Sequence, residues 1–371
     1  MDEIHTAFMR RALTLAKIGK GRTSPNPLVG AVIVKAGQVV GEGYHQKAGK
    51  THAEIDALQA AGTAAKGGTL YVNLEPCCHW GRTPPCTDAV IQAGIAQVYI
   101  AEVDANPKVA GKGIRQLEMA GISVNVGICA EEAAQLNEVH RKYIQTGRPF
   151  VLLKTAMSLD GKIATATGES RWITAEASRQ KVHQIRDEVD AILVGIGTVL
   201  RDNPELTTRL AHRKGKDATR IVLDSRARTP TDANVFNADS TAGIIIAVTP
   251  QAPAENIAAL KKAGADVIVV PAKQGRVCFN ALMERLGTRE ITSVLIEGGG
   301  EVNAAAIAAG VVDKVLWFIS PKLIGGAGAP GTLGGEGILA LADAPRLHNI
   351  TVMPVENGDG DILIQGYLSE D

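Results

Sequence analysis

The stretch Asn73-Leu74-Glu75-Pro76-Cys77-Cys78-His79-Trp80-Gly81-Arg82-Thr83-Pro84-Pro85-Cys86 runs from the end of a strand-like segment, residues 69–74, to the start of a helix-like one. Upstream, His52-Ala53-Glu54 opens another helix that reaches Ala61. One imidazole and two thiolates are three of the four ligands that zinc takes in a tetrahedral shell, and a catalytic site keeps the fourth position for water. Bound zinc lowers the pKa of such a water from about 15.7 to roughly 7. His52, Cys77 and Cys86 are therefore the expected metal ligands. Glu54 is the expected proton carrier between that water and a leaving amine. Residues two apart do not share a face in mid-helix. In a first turn, however, both can aim at a point beyond the helix end. The positive end of the helix at Cys86, and of a second one expected near Cys77, suits thiolates.

Zinc deaminases carry H-x-E followed by P-C-x-x-C. Here eight residues separate Cys77 from Cys86. A chance H-A-E beside unrelated buried cysteines is the bland alternative, and the strand-to-helix setting argues against it. Cys78 and His79 are rival ligands by type; Cys78 is expected to pack and His79 to line the pocket. Cys129 and Cys278 are expected to be ordinary buried thiols.

Outward from this core, the first 147 residues alternate strands and helices. Helices are expected over 3–18, 52–61, 86–94, 114–120 and 131–143, and strands over 28–34, 38–44, 69–74, 97–101 and 123–127. Thr146-Gly147-Arg148-Pro149 reads as a boundary. A second α/β series follows, with strands at 150–156, 191–195, 220–224, 243–248, 267–270, 292–297, 314–319, 350–355 and 361–368, and helices at 175–188, 255–263, 279–286 and 301–309. Alternation of this kind indicates layered α/β domains. Gly325 to Gly337 reads as a long loop. Glu297-Gly298-Gly299-Gly300 follows an apolar strand and precedes a helix, which makes it a phosphate cradle: glycines admit an anion to free N–H donors. A plain glycine turn is the alternative. Gly195-Ile196-Gly197 is a weaker version.

These motifs resemble the bifunctional deaminase–reductase family of riboflavin biosynthesis. The resemblance rests on the 73–86 string, on Ser24-Pro25-Asn26-Pro27-Leu28-Val29-Gly30-Ala31-Val32, on Lys154-Thr155-Ala156-Met157-Ser158-Leu159-Asp160-Gly161-Lys162, and on Val194 to Thr198, Asp202-Asn203-Pro204 and Glu297 to Gly300. The displaced second cysteine is characteristic of that family. The resemblance implies an N-terminal cytidine-deaminase-like three-layer domain, residues 1–147, and a C-terminal dihydrofolate-reductase-like α/β domain, residues 148–371. It implies deamination of 2,5-diamino-6-ribosylamino-4(3H)-pyrimidinone 5′-phosphate, then reduction of the ribosyl chain to ribityl, with zinc and NADPH as cofactors and NADPH preferred over NADH.

By the same resemblance, the nicotinamide cofactor lies along Ala156, Trp172, Thr198, Asp202, Ser225, Gly299, Gly300 and Glu301, within a segment reaching residue 305. Ser170, Arg186, Leu206, Arg209 and Glu297 match substrate positions. Arginine suits phosphate because its planar fork donates two parallel bonds; a surface helix residue beside Asp187 is the other reading of Arg186. Lys154 and Asp202 are the candidates for acid–base work in the reduction, and Asp202 is also a natural turn residue. In the first domain Asn26, His45, Asn73, His79, Arg82 and Thr83 are pocket candidates. Asn26 reads equally as a turn residue before Pro27, and Arg82 as a solvated surface arginine.

The 371 residues exceed one typical core. Lys plus Arg is 39 and Asp plus Glu is 39, so nothing advertises a polyanionic partner. This weighs against a nucleic-acid base deaminase, as do the cysteine spacing and the large second domain. The other rival, a zinc-stabilised nucleotide-binding scaffold, has no use for Glu54 beside an open coordination position. A small phosphorylated pyrimidine is the expected partner, with no nucleic acid, no membrane and a homo-oligomer open. The start Met1-Asp2-Glu3-Ile4-His5 lacks an export pattern, and three of five cysteines crowd within ten residues, so a cytoplasmic, metal-binding protein is expected.

Overall fold

In a computed structural model of the chain, residues 2–80, 84–236 and 240–368 are described. The chain divides into two compact units, Met1–Arg148 and Pro149–Asp371.

The first unit contains α1 (Asp2–Ile18), β1 (Gly30–Lys35), β2 (Gln38–Tyr44), α2 (Ala53–Ala61), β3 (Thr69–Leu74), α3 (Cys86–Gln92), β4 (Gln97–Glu102), α4 (Lys112–Met119), β5 (Ser123–Val126), α5 (Ala130–Leu136) and α6 (Glu138–Thr146). Its five strands run in the order β2-β1-β3-β4-β5. β1 is antiparallel to both neighbours, while β3, β4 and β5 are parallel. The period-two alternation of a strand sends Ala31 and Ile33 to one face and Val32 and Val34 to the other. The first face packs against Ala53 and Ala57 of α2, Val90 of α3 and Leu117 of α4. The second packs against Met9, Ala12 and Leu13 of α1 and Ala133 of α5. Helices on both faces give three layers. The helix expected over 131–143 breaks at Asn137. Its buried side chain leaves the helical pattern to accept from Leu28 N at 2.8 Å and donate to Leu28 O at 3.0 Å.

The second unit contains β6 (Phe150–Ser158), α7 (Glu176–Glu188), β7 (Ala191–Gly195), α8 (Ile196–Asp202), β8 (Thr219–Leu223), β9 (Ile244–Val248), α9 (Ala254–Lys262), β10 (Asp266–Val269), β11 (Ala272–Lys273), β12 (Arg276–Val277), α10 (Phe279–Gly287), β13 (Ser293–Ile296), α11 (Gly300–Ala308), β14 (Lys314–Ser320), β15 (His348–Pro354) and β16 (Ile362–Tyr367). Nine strands form one sheet, ordered β10-β9-β8-β7-β13-β6-β14-β16-β15. The strands from β10 to β14 are parallel, and β16 and β15 close the sheet antiparallel. Val151, Leu153 and Leu193 point into one core, and Ile192, Val194 and Val222 into the other. The helix α8 and the small β11–β12 hairpin are absent from the sequence expectations.

In a mostly parallel sheet covered on both faces, a ligand crevice opens beyond the carboxyl ends of the strands. Gly195, Leu223 and Glu297 mark those ends for β7, β8 and β13, and all three line one cleft together with Thr155 of β6. The Gly325–Gly337 stretch has no helix or strand of its own. It is nonetheless tied to the start of α11: Gly334 N donates to Gly300 O at 2.9 Å, Asn303 Nδ2 to Thr332 O at 3.0 Å and Gly335 N to Glu301 Oε1 at 3.0 Å.

Candidate active sites

In the first unit, His52 is the N-cap of α2 with extended backbone (φ −81°, ψ 159°), and its imidazole makes no capping bond. It turns instead to the two cysteines. Nδ1 lies 3.2 Å from Cys86 Sγ and 3.5 Å from Cys77 Sγ. Zinc bonds of about 2.0–2.1 Å to nitrogen and 2.3 Å to sulfur, at tetrahedral angles, separate such ligand atoms by about 3.6 Å. The three side chains thus fit a zinc ion, and their ligand atoms all lie within 4.8 Å of one another. The Cys86 backbone N–H, at the first position of α3, donates to Cys77 Sγ at 3.4 Å. This hydrogen bonding, the Cys86 thiol first and then His52, draws the Cys77 thiol down to about 4 against the cost of burial. Cys86 is pushed up, by its bond to Cys77, by burial and by the Glu54 charge. A dication held at this cluster would claim both sulfurs as thiolates.

The helix expected near Cys77 is not there, since Cys77 lies in the loop after β3. Glu75 shapes that loop, and its role is not visible in the motif. Its buried carboxylate accepts from three backbone N–H groups, those of Asp104, Gly111 and Ile114. Glu54, on the first turn of α2, is 3% exposed. Burial, and then the Cys77 charge, push it up to about 7, which suits a group that must both take and give a proton near neutrality.

Asn26 Nδ2 lies 3.1 Å from His45 Nε2, and the His45 and His52 rings meet edge-on at 5.5 Å. Asn73 is a correction to the pocket list: fully buried, it spends its amide on Gly30 N and Leu28 O and fixes the start of β1. His79 is half-buried, and its Nδ1 finds no partner among the described residues. Arg82 and Thr83 lie outside the described residues. Cys78 is half-buried and outside the three-ligand cluster. Cys129 and Cys278 are half-buried N-cap residues of α5 and α10, less buried than expected.

In the second unit the cleft has a volume of ≈ 1140 Å³. It brings together Lys154, Ala156, Ser170, Trp172, Thr198, Asp202, Ser225, Glu297, Gly299, Gly300 and Glu301. Gly299 caps α11, so free N–H groups face the cleft. Close approach explains Gly300: a Cβ there would stand 2.8 Å from Gly331 O and 3.0 Å from Gly334 N. Gly195 caps α8 in the same way. Asp202 ends α8, and its carbonyl accepts from Arg171 Nη2 at 3.3 Å. The Arg179 guanidinium covers the exposed Trp172 ring at 4.4 Å. Sequence reasoning missed the cationic lining, which includes Arg201, Arg226, Arg228 and Arg276. The Ser225-Arg226-Ala227-Arg228 run directly after β8 was the available signal.

Three expected substrate positions lie outside this lining. Arg186 is neither a surface residue nor a free phosphate fork. Nε and Nη2 hold the two Glu297 oxygens at 2.7 and 3.0 Å, and Nη1 donates to Thr207 O at 2.9 Å. Leu206 buries its side chain in the core at φ +55°, so only its backbone is available to a ligand. Arg209 is exposed and bonded to Glu205 and Thr207. Lys154 Nζ stands 3.6 Å from Glu297 Oε2. Burial lowers its pKa, and the Glu297 charge opposes that.

A family model described as the RibD C-terminal domain matches residues 149–364, and one described as the cytidine and deoxycytidylate deaminase zinc-binding region matches residues 2–102. The riboflavin biosynthesis protein RibD of Aquifex aeolicus is 46% identical over 364 residues, covering 98% of each chain. That of Actinobacillus pleuropneumoniae is 47% identical over 340 residues, 92% of this chain and 90% of the relative. Among solved structures, Acinetobacter baumannii RibD superposes with a TM-score of 0.87 at 37% identity over 100% of both chains. A diaminohydroxyphosphoribosylaminopyrimidine deaminase/5-amino-6-(5-phosphoribosylamino)uracil reductase of Thermotoga maritima gives 0.84 at 36% identity over 99% of both. With both units matched and the alignments nearly end to end, the chain belongs to the RibD family of riboflavin biosynthesis proteins.

Proposed function

We propose that residues 1–147 deaminate 2,5-diamino-6-ribosylamino-4(3H)-pyrimidinone 5′-phosphate, and that residues 148–371 then reduce the ribosyl chain to give 5-amino-6-ribitylaminouracil 5′-phosphate. The chain is a bifunctional deaminase and reductase that uses zinc and NADPH. The observation that carries the deaminase reading is the convergence of His52, Cys77 and Cys86 beside the buried carboxyl of Glu54. When bound, zinc supplies the Lewis acidity that makes water a nucleophile near neutral pH. Glu54 takes a proton from that water and delivers it to the exocyclic amine, which leaves as ammonia. Asn26 contacts the ring and His79 serves the substrate, with Arg82 the phosphate partner that the family resemblance suggests.

In the second unit NADPH supplies the hydride. Its phosphates fit the N–H groups at the start of α11, with Ala156, Trp172, Thr198, Asp202 and Ser225 along its length. Ser170, the Leu206 backbone and Arg209 serve the substrate, with Arg186 acting through Glu297. Of the two acid–base candidates, Lys154 has the better support, because burial lowers its pKa and eases release of a proton to the reduced chain. The protein acts in the cytoplasm on a small molecule, without nucleic acid.

The test assays each half-reaction with the Glu54→Gln variant. Zinc content and NADPH-dependent reduction of pre-deaminated substrate stay at the wild-type level. Ammonia release falls about 10²–10⁴-fold, the usual contribution of a positioned proton carrier. Deamination at the normal rate refutes the mechanism.

A further inference from the structure

The turn that follows β8, Asp224 to Thr229, is fixed from the inside. Asp224 is fully buried, and its Oδ2 accepts from Thr229 N and from Thr229 Oγ1, both at 2.7 Å. Its Oδ1 faces Arg228 Nε at 4.0 Å. The Ser225 carbonyl accepts from Thr249 N at 3.2 Å and from Thr249 Oγ1 at 2.8 Å, and the Ala227 carbonyl accepts from Asn256 Nδ2 at 3.1 Å. Ala227 itself is buried with φ +53°. Its neighbours Ser225, Arg226 and Arg228 line the reductase cleft.

This anchored turn offers the cleft the Ser225 hydroxyl and the Arg226 guanidinium. Ser225 Oγ accepts from Val277 N at 3.2 Å. A backbone N–H only donates, so the hydroxyl keeps its own proton to give. Arg226 is exposed and makes no hydrogen bond or ion pair among the described residues. The other cleft arginines are placed differently. Arg228 faces Asp224, and Arg276 Nη1 donates to Glu301 Oε2 at 3.1 Å. Arg201 belongs to the last turn of α8, beside Asp202.

The order of strands gives the turn its place. β8 is two strands from β13, so at about 4.8 Å per strand the turn stands roughly 10 Å from the start of α11. A dinucleotide with its pyrophosphate at α11 can extend its adenosine that way. A carboxylate at a strand end accepts from the 2′-hydroxyl of NADH, whereas an arginine accommodates the 2′-phosphate of NADPH. Asp224 is the carboxylate at this strand end, and it is turned into the core.

We propose that Arg226, together with the Ser225 hydroxyl, reads the cofactor's 2′-phosphate and sets the preference for NADPH over NADH. The inward-turned Asp224 makes the same choice from the other side, since it leaves no carboxylate for an unphosphorylated ribose. The proposal rests on the reading of the cleft as the NADPH site with the cofactor phosphates at the start of α11.

Fluorescence titration of the zinc-loaded full chain with NADPH and with NADH tests it, alongside displacement of NADPH by adenosine 2′-monophosphate and by adenosine 5′-monophosphate. Wild type binds NADPH more tightly than NADH, and the 2′-monophosphate displaces it at lower concentration than its isomer. In Arg226→Gln the Kd for NADPH rises about tenfold to a hundredfold, the range for a hydrogen bond to a charged group. The Kd for NADH stays put, and the two monophosphates become equal. Ammonia release at the wild-type rate shows that the variant is folded. An unchanged Kd for NADPH, or an equal loss of NADPH and NADH, overturns the proposal. So does a selective loss of NADPH in Arg201→Gln or Arg276→Gln in place of Arg226→Gln. A raised KM for pre-deaminated substrate with NADPH binding unchanged gives the guanidinium to the substrate phosphate and overturns it too. Gly300→Ala separates this outcome from the reading beneath it. Weaker binding of both dinucleotides there keeps the cradle in place when Arg226 fails, and no loss of either removes cradle and proposal together.

Discussion

Arg186 grips Glu297 with two parallel hydrogen bonds, Nε to Oε1 at 2.7 Å and Nη2 to Oε2 at 3.0 Å, and both side chains are largely buried, at 13% and 10% exposure. Burial by itself raises the Glu297 carboxyl. The charges of Arg186 and Lys154, with the Arg186 hydrogen bonds, overcome it and hold Glu297 at about 2. The carboxylate at the floor of the reductase cleft is therefore fixed in place and ionised throughout the working pH range. This relationship makes Arg186, read in the sequence either as a phosphate contact or as a surface helix residue, the support of a carboxylate that lines the cleft.

Removing Arg186 leaves a buried carboxylate with Lys154 as its remaining close cation. Arg186→Leu is expected to destabilise the second unit by about 3–5 kcal/mol, and Arg186→Leu/Glu297→Leu to recover most of that loss. Urea unfolding of the full chain measures both. The sign with pH follows from the depressed carboxyl: its contribution is complete above the ordinary value of 4.5 and is lost as pH falls from there toward about 2. Glu297→Gln is expected to flatten that acid limb.

Lys154 gives the opposite limb. Burial lowers its pKa below the ordinary 10.5, so a proton donor is lost as pH rises through the lowered value. The reductase kcat is expected to fall on an alkaline limb below 10.5, and Lys154→Arg, which keeps its proton, to move that limb upward whatever its absolute rate. A kcat–pH profile of both proteins decides; an unmoved limb removes Lys154 from the proton transfer.

Chelation separates the two chemistries. Zinc removal is expected to abolish ammonia release and to spare NADPH oxidation when pre-deaminated substrate is supplied. Parallel assays before and after chelation, with zinc restored in a third sample, check it.

Gly300→Ala tests the cofactor cradle. The added methyl meets backbone atoms, Gly331 O at 2.8 Å and Gly334 N at 3.0 Å, rather than a side chain that can step aside. The strand of loop lying on α11 must shift, and NADPH affinity is expected to fall about tenfold, or roughly 1.4 kcal/mol. Fluorescence titration with NADPH reads this directly, with deamination unaffected.

The convergence of His52, Cys77 and Cys86 was legible in the sequence because the chemistry that suggests it is local. Zinc restricts the residue types, and His52 and Cys86 each stand at a helix start that the flanking pattern reveals. The three-layer alternation was legible for the same reason, with Ala31 and Ile33 facing one core and Val32 and Val34 the other. What stayed hidden depends on partners far along the chain. The break at Asn137 exists because its amide meets Leu28, 109 residues away. Glu75 looks like part of a cysteine motif until Asp104, Gly111 and Ile114 close around it. Arg186 looks solvent-facing until Glu297, 111 residues on, takes its fork. Strand order is equally non-local, and α8 escaped notice because its seven residues include a glycine in the first turn.

Zinc-edge X-ray absorption on the full chain, taken with metal content, bears most directly on the whole account. One zinc per chain with one nitrogen, two sulfurs and one light-atom ligand is expected, and Cys86→Ser should lower the sulfur count to one. Three sulfurs, which would bring in Cys78, or a Cys77–Cys86 disulfide with no zinc bound, would contradict it.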